Sequence, residues 1–273
     1  MATVPLELYR IIIENITDST TLATALLVSR DFYREAERCL YATIVISFLK
    51  VKDDSPGTIK AIAQQIKEIE MLLELVQSPH LAAHLIHLNM HALEREVEDM
   101  FTSQWGDFKR GMAVNCLNLK SLHLPFYPLP VLIPPVASSF KLHTLIMECA
   151  VLDDYASFNA LGPFLGSQPE IEHLVLPHLL LEPLPSYALP KLHTLLAPTR
   201  ICLWLVPIRP ISQLELRDGI NNLLFDGFGP LPYLKRLITP APASKLLCWF
   251  TDSFKYLEHL EVGLVFTHFV AAA

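Results

Sequence analysis

The chain has 273 residues, 52% of them hydrophobic, and a formal net charge of −7, with a pI near 5.9 and a mean hydropathy of +0.36. That balance supplies no basic footprint for nucleic acid, and apolar runs such as "LPVLIPPVA" and "VLPHLLLEPLP" are broken by proline before the roughly 18 residues a membrane span needs. Cys39, Cys116, Cys149, Cys202 and Cys248 are scattered with no C-x-x-C pair, so reduced thiols in the cytosol or nucleus are expected rather than a disulfide framework or zinc ribbon.

No basic leader with a cleavage site follows Met1, and secretion is not expected. The first forty residues predict three short helices. Pro5 suits a first helical turn and Glu7 the positive helix start. Leu6, Tyr9, Ile13 and Ile16 then form one stripe at helical spacing, with Leu8 and Ile12 as a second apolar row. Asp18 or Ser19 caps a second helix carrying Leu22 and Leu26, and Ser29 caps a third whose Phe32, Ala36 and Leu40 share a face. So small a unit buries little area by itself. Part of its apolar surface is expected to face something else.

Val4-Pro5-x-Glu7, the pair Ile12-Ile13, then Ile16, Leu22, Leu27-Val28-Ser29-Arg30 and Phe32 together resemble an F-box. Leu40-Tyr41-x-x-Ile44 resembles the way many fungal F-box-like proteins leave that motif. The resemblance covers residues 4–46, with Val4 where Leu is usual and Phe32 where Trp is common. It implies binding of a Skp-type linker that docks on a cullin–RING ubiquitin ligase. Pro5, Leu6, Ile13, Leu22, Val28 and Phe32 would be linker contacts or their direct supports. The alternative reading makes them core residues of a helical cap on the next domain.

Beyond residue 40, Tyr41-x-x-Ile44-x-Ile46 reads as an opening strand. Ile59, Ile62, Ile66, Ile69 and Leu72 predict a helix after "SPGT" that Pro79 stops, and a second, acidic helix is expected within 92–111. A hexamer L-x-x-L-x-L, with aliphatic substitutes, then recurs as "LIHLNM", "LKSLHL", "LHTLIM", "IEHLVL", "LHTLLA", "ISQLEL", "LKRLIT" and "LEHLEV". The central leucines are Leu88, Leu122, Leu145, Leu174, Leu195, Leu214, Leu237 and Leu260. After the first, longer interval, their spacing stays close to the roughly 20–29 residues of leucine-rich repeats.

Pro125, Pro177, Pro198 and Pro240 each follow a central leucine at one offset, and Pro169, Pro190 and Pro232 precede one at another. Proline cannot donate to a sheet ladder, so these positions bracket short strands. The expected fold is mixed α/β: an F-box-like helical module over 1–40, then an irregular leucine-rich-repeat solenoid over 41–273 with a parallel sheet on its concave face. Later return segments, such as 125–140 and 177–190, are Pro-rich and predict turns or single helical turns. The ending "VGLVFTHFVAAA" lacks a polar cap, so either the array is truncated or the tail folds over its end.

In each hexamer the third and fifth side chains point away from the core. The expected client-binding face therefore holds His87, His123, Thr144, Ile146, His173, Val175, Leu196, Gln213, Glu215, Arg236 and His259, apolar in the middle and polar at both ends. The alternative is a merely solvated sheet face. His80, His84, His87 and His91 have the spacing of a helical metal stripe, but the strand template over 85–90 breaks it and the tract holds no Asp, Glu or Cys; no metal is expected. No G-x-S-x-G and no phosphate-binding glycine loop occurs.

What the resemblance implies is a non-enzymatic, cofactor-free substrate receptor of a cullin–RING ubiquitin ligase, cytoplasmic or nuclear. Its partners would be a Skp-type linker and a client protein, not nucleic acid or membrane. The alternatives are a repeat scaffold outside any ligase and a metal-dependent enzyme built on the histidines.

Overall fold

The computed structural model describes residues 5–46, 56–90, 104–124, 138–147, 158–176, 184–217, 231–240 and 256–262. The protein is mixed α/β, and its described residues include nine short parallel strands taken in chain order. Two compact units divide the chain: residues 1–127 with 131–142, and 128–130 with 143–273.

The first unit opens with α1 (Leu6–Glu14), α2 (Ser19–Ala25) and α3 (Arg30–Ala42). Asp18, rather than Ser19, caps α2: its carboxylate accepts from the Thr21 N–H and hydroxyl, both at 2.7 Å. Ser29 Oγ accepts the Phe32 N–H at 3.3 Å and caps α3. These caps satisfy amides that the helix itself leaves unpaired. Ile13, Leu22, Ala25 and Ala36 form the core of the three helices, with Ile16, Leu26, Phe32 and Leu40 packed on it. Tyr9 meets Phe32 edge to face at 4.9 Å between ring centroids.

After α3 come β1 (Thr43–Ile46), α4 (Pro56–Gln77), α5 (Pro79–Ala82), β2 (His87–Met90), α6 (Trp105–Asn115) and β3 (Ser121–Leu124). The helix expected after "SPGT" is α4, and it ends before Pro79, which opens α5. The acidic stretch from 92 to 101 lies outside the described residues; α6 occupies the second half of the expected segment and runs on to Asn115. β1, β2 and β3 pair in parallel, placing Ile44 beside Leu88 and Leu88 beside Leu122, all buried. Trp105, Phe108 and Met112 of α6 and Ile69, Leu72 and Val76 of α4 supply further buried side chains. The two helices approach closely at Gly111, where an added Cβ would sit 2.8 Å from the Val76 carbonyl oxygen. Asn115 Nδ2 donates to that same oxygen at 2.8 Å.

The second unit holds β4 (Thr144–Met147), α7 (Phe158–Gly166), β5 (His173–Val175), β6 (Thr194–Ala197), α8 (Thr199–Leu205) with a 3-10 turn at Val206–Ile208, β7 (Gln213–Leu216), β8 (Arg236–Thr239) and β9 (His259–Val262). Each strand pairs in parallel with the next, so Leu145, Leu174, Leu195, Leu214, Leu237 and Leu260 form one column across the ladder. All but Leu260 are buried. From β4 to β8 the first and sixth hexamer positions, such as Leu142 and Met147 or Leu192 and Ala197, are buried with them, whereas Val262 of β9 is exposed. Pro169, Pro190 and Pro232 begin turns ahead of β5, β6 and β8, and Pro198 is the N-cap of α8. Pro125, Pro177 and the tail 263–273 lie outside the described residues.

Two helices in this unit differ from the turns expected of the later returns. In α7, Leu161, Phe164 and Leu165 are buried at helical spacing, and α8 does the same with Ile201, Cys202 and Leu205. Burial of one apolar stripe stabilises a helix too short to stand alone. Arg209 follows α8 and is only 2% exposed. Its guanidinium donates to the Ala188 carbonyl at 2.9 Å and the Pro185 carbonyl at 3.0 Å, and more distantly to those of Trp204 and Leu205.

Candidate functional site

Two surfaces, one in each unit, carry most of the residues singled out from the sequence. In the first unit, the three-helix module leaves Leu8, Ile11, Ile12, Leu27 and Val28 in solvent, Leu27 at 86% exposure and Val28 at 63%. Ile13 and Leu22 lie inside the helical core and can support such a surface without touching a partner. Pro5 is exposed at the N-cap of α1, and Leu6 is the first residue of that helix. Phe32 is half-buried against Tyr9. Leu8, Ile11, Ile12 and Leu27 are exposed as well, outside the residues the resemblance names. The second apolar row, Leu8 and Ile12, is the sequence signal for two of them.

In the second unit the outward side chains fall into two rows set by strand register. Thr144, His173, Thr194, Gln213, Arg236 and His259 occupy one row; Ile146, Val175, Leu196, Glu215, Ile238 and Glu261 occupy the other. Val175 is a correction to the expected contact set. It stands on the outward row, yet with Ile146 and Leu196 as register neighbours it is only 6% exposed. Burial pushes the His173 imidazole below its usual pKa, because losing water penalises the charged ring.

Between β5 and β8 these rows border a cavity of about 250 Å³ lined by His173, Thr194, Leu196, Gln213, Glu215 and Arg236, among others. The Arg236 guanidinium lies 3.6 Å from the Glu261 carboxylate, and His259 Nε2 lies 3.9 Å from it. Leu196 and Ile238 thus add apolar lining beside the charged side chains of Glu215 and Arg236. A second hollow, which the hexamer pattern does not signal, lies at the strand entries among Pro210, Pro232, Tyr233 and Tyr256, with the Lys235–Glu258 ion pair at 3.0 Å beside it.

In the first unit the corresponding outward residues are His87 beside Ser121 and Asn89 beside His123. The histidine tract does not form one helix: α5 ends at Ala82, His87 opens β2, and His91 lies outside the described residues. His80 and His84 nevertheless meet, with ring centroids 5.2 Å apart. Glu37 of α3 reaches both of them, an acid distant in sequence that no inspection of the tract reveals.

Among the cysteines, burial pushes the Cys116 thiol up to about 12, and it likewise raises Cys39. A nucleophilic thiol needs the opposite shift. No helix among the described residues is long and apolar enough to cross a membrane. No family model matches the chain, and no curated protein matches its sequence.

Proposed function

We propose that this chain is an F-box-like protein with degenerate leucine-rich repeats, serving as a substrate receptor of a cullin–RING ubiquitin ligase. The three-helix module binds a Skp-type linker and the outward strand rows bind a client protein. The chain itself contributes no catalytic group and acts in the cytosol or nucleus. Holding client and ligase on one polypeptide raises their effective concentration for each other.

One observation carries the reading: the capped three-helix module leaves Leu8, Ile11, Ile12, Leu27 and Val28 exposed while its own core is filled by other residues. A helical cap serving only the next domain has no use for so many exposed large apolar side chains on one small module, whereas an interaction surface does. The in-register leucine column supports the second half of the reading, since strands held in register present their outward residues as rows.

Co-purification with a Skp-type linker is the test. Wild-type protein is expected to retain the linker, and Leu27→Asp with Val28→Asp to lose it while keeping wild-type circular dichroism. Failure of the wild type to capture the linker, or capture unaffected by the double variant, rejects the ligase reading and leaves the repeat scaffold in its place.

A further inference from the structure

We propose that Glu37, His80 and His84 form a zinc site that ties the α5 segment to α3. This inference does not depend on the ligase reading. The donor atoms, one from each residue, all lie within 4.8 Å of one another. His80 Nε2 is 2.7 Å from Glu37 Oε2, and His84 Nε2 is 3.7 Å from the same oxygen. Zinc with bonds of about 2.0–2.2 Å in tetrahedral geometry separates its ligands by roughly 3.3–3.6 Å. The two separations bracket that range, so small rotations of the side chains bring the donors to it.

Several independent features favour an ion here. His80 and His84 sit four residues apart across α5 and the turn that ends it, the spacing that aims two imidazoles at one point. His84 Nε2 is buried and makes no hydrogen bond among the described residues. The Glu37 side chain is 6% exposed, costly for a carboxylate without a strong cationic partner. Its other oxygen accepts the Tyr33 hydroxyl at 2.7 Å, the kind of outer contact that orients a metal ligand. His80 is 69% exposed, which leaves a fourth position for water. Two imidazoles and one carboxylate select zinc over magnesium or calcium, which prefer oxygen ligands.

The test uses the full chain, stripped with chelator and titrated with Zn²⁺ by calorimetry and with Co²⁺ by visible absorption. The expected result is one Zn²⁺ per chain, a four-coordinate Co²⁺ spectrum, no competition by Mg²⁺, and a zinc-dependent rise in the unfolding midpoint. His80→Ala and His84→Ala should each weaken zinc binding at least 100-fold and abolish that rise. Tyr33→Phe should weaken it by roughly 10-fold. His80 is mostly exposed, so its variant remains informative if Glu37→Gln fails to fold. Absence of saturable Zn²⁺ uptake by the wild type, or uptake unchanged in folded His80→Ala, overturns the proposal.

Discussion

At the scale of single residues, Arg209 shows how a buried cation is held by backbone carbonyls, with no carboxylate among its hydrogen-bond partners in the described residues. Its donors go to backbone carbonyls of the Pro185–Leu189 turn and of α8, and burial lowers its pKa. That turn contains Leu189 at φ 56°, left-handed backbone that disfavours a side-chain-bearing residue. The guanidinium therefore satisfies carbonyls and also ties a strained turn to the end of α8. Arg209→Met should cost roughly 3 kcal/mol in urea unfolding, because it leaves buried carbonyls unpaired. His173 adds a pH dependence of its own. Its folded pKa lies below 6.5, so on acidification the unfolded chain takes up this proton first. The contribution is fully present above 6.5 and is lost as pH falls through the folded pKa. His173→Gln should flatten the fall in stability between pH 7 and 5, measured as the difference between two urea series.

At the scale of elements, α4 and α6 are fitted at Gly111. Alanine is the better helix former by about 1 kcal/mol. Its Cβ, however, would meet the Val76 carbonyl oxygen at 2.8 Å, a backbone atom that cannot swing aside. Overpacking of that kind costs about 1–3 kcal/mol, so Gly111→Ala should destabilise the protein despite its propensity, and thermal unfolding should show a lower midpoint.

The elements also mark what the sequence could and could not reveal. Strands were legible because the hexamer repeats a burial pattern that parallel pairing requires; Leu145, Leu174 and Leu195 align through that hexamer despite unequal intervals. The α1 stripe and the Ser29 cap were legible for the same local reason. Helices α7 and α8 were not, since Pro163 and Pro198 mask a stripe that only tertiary burial reveals. Nor was the covering of Val175, which depends on its neighbours across the ladder. The Glu37–His80 contact joins residues whose separation no local pattern encodes.

At the scale of the molecule, each described strand of the second unit pairs with the strands next to it in sequence, so stability should vary with position along the ladder. Leu195 is fully buried between β5 and β7, whereas Leu260, on β9, is only half-buried. Leu195→Ala should cost about 3 kcal/mol, and Leu260→Ala under about 1 kcal/mol; equal costs in chemical denaturation would contradict nearest-neighbour support.

Strict register also sets a spatial rhythm. Side chains along an outward row recur at the strand spacing of about 4.8 Å, whereas an extended peptide advances by about 3.3 Å per residue. The two rulings coincide only about every 14 Å, near every third strand and every fourth residue. An extended ligand lying across the strands from Thr144 to His259 would therefore be gripped at separated points, and the residues between them would be free to vary without loss of fit.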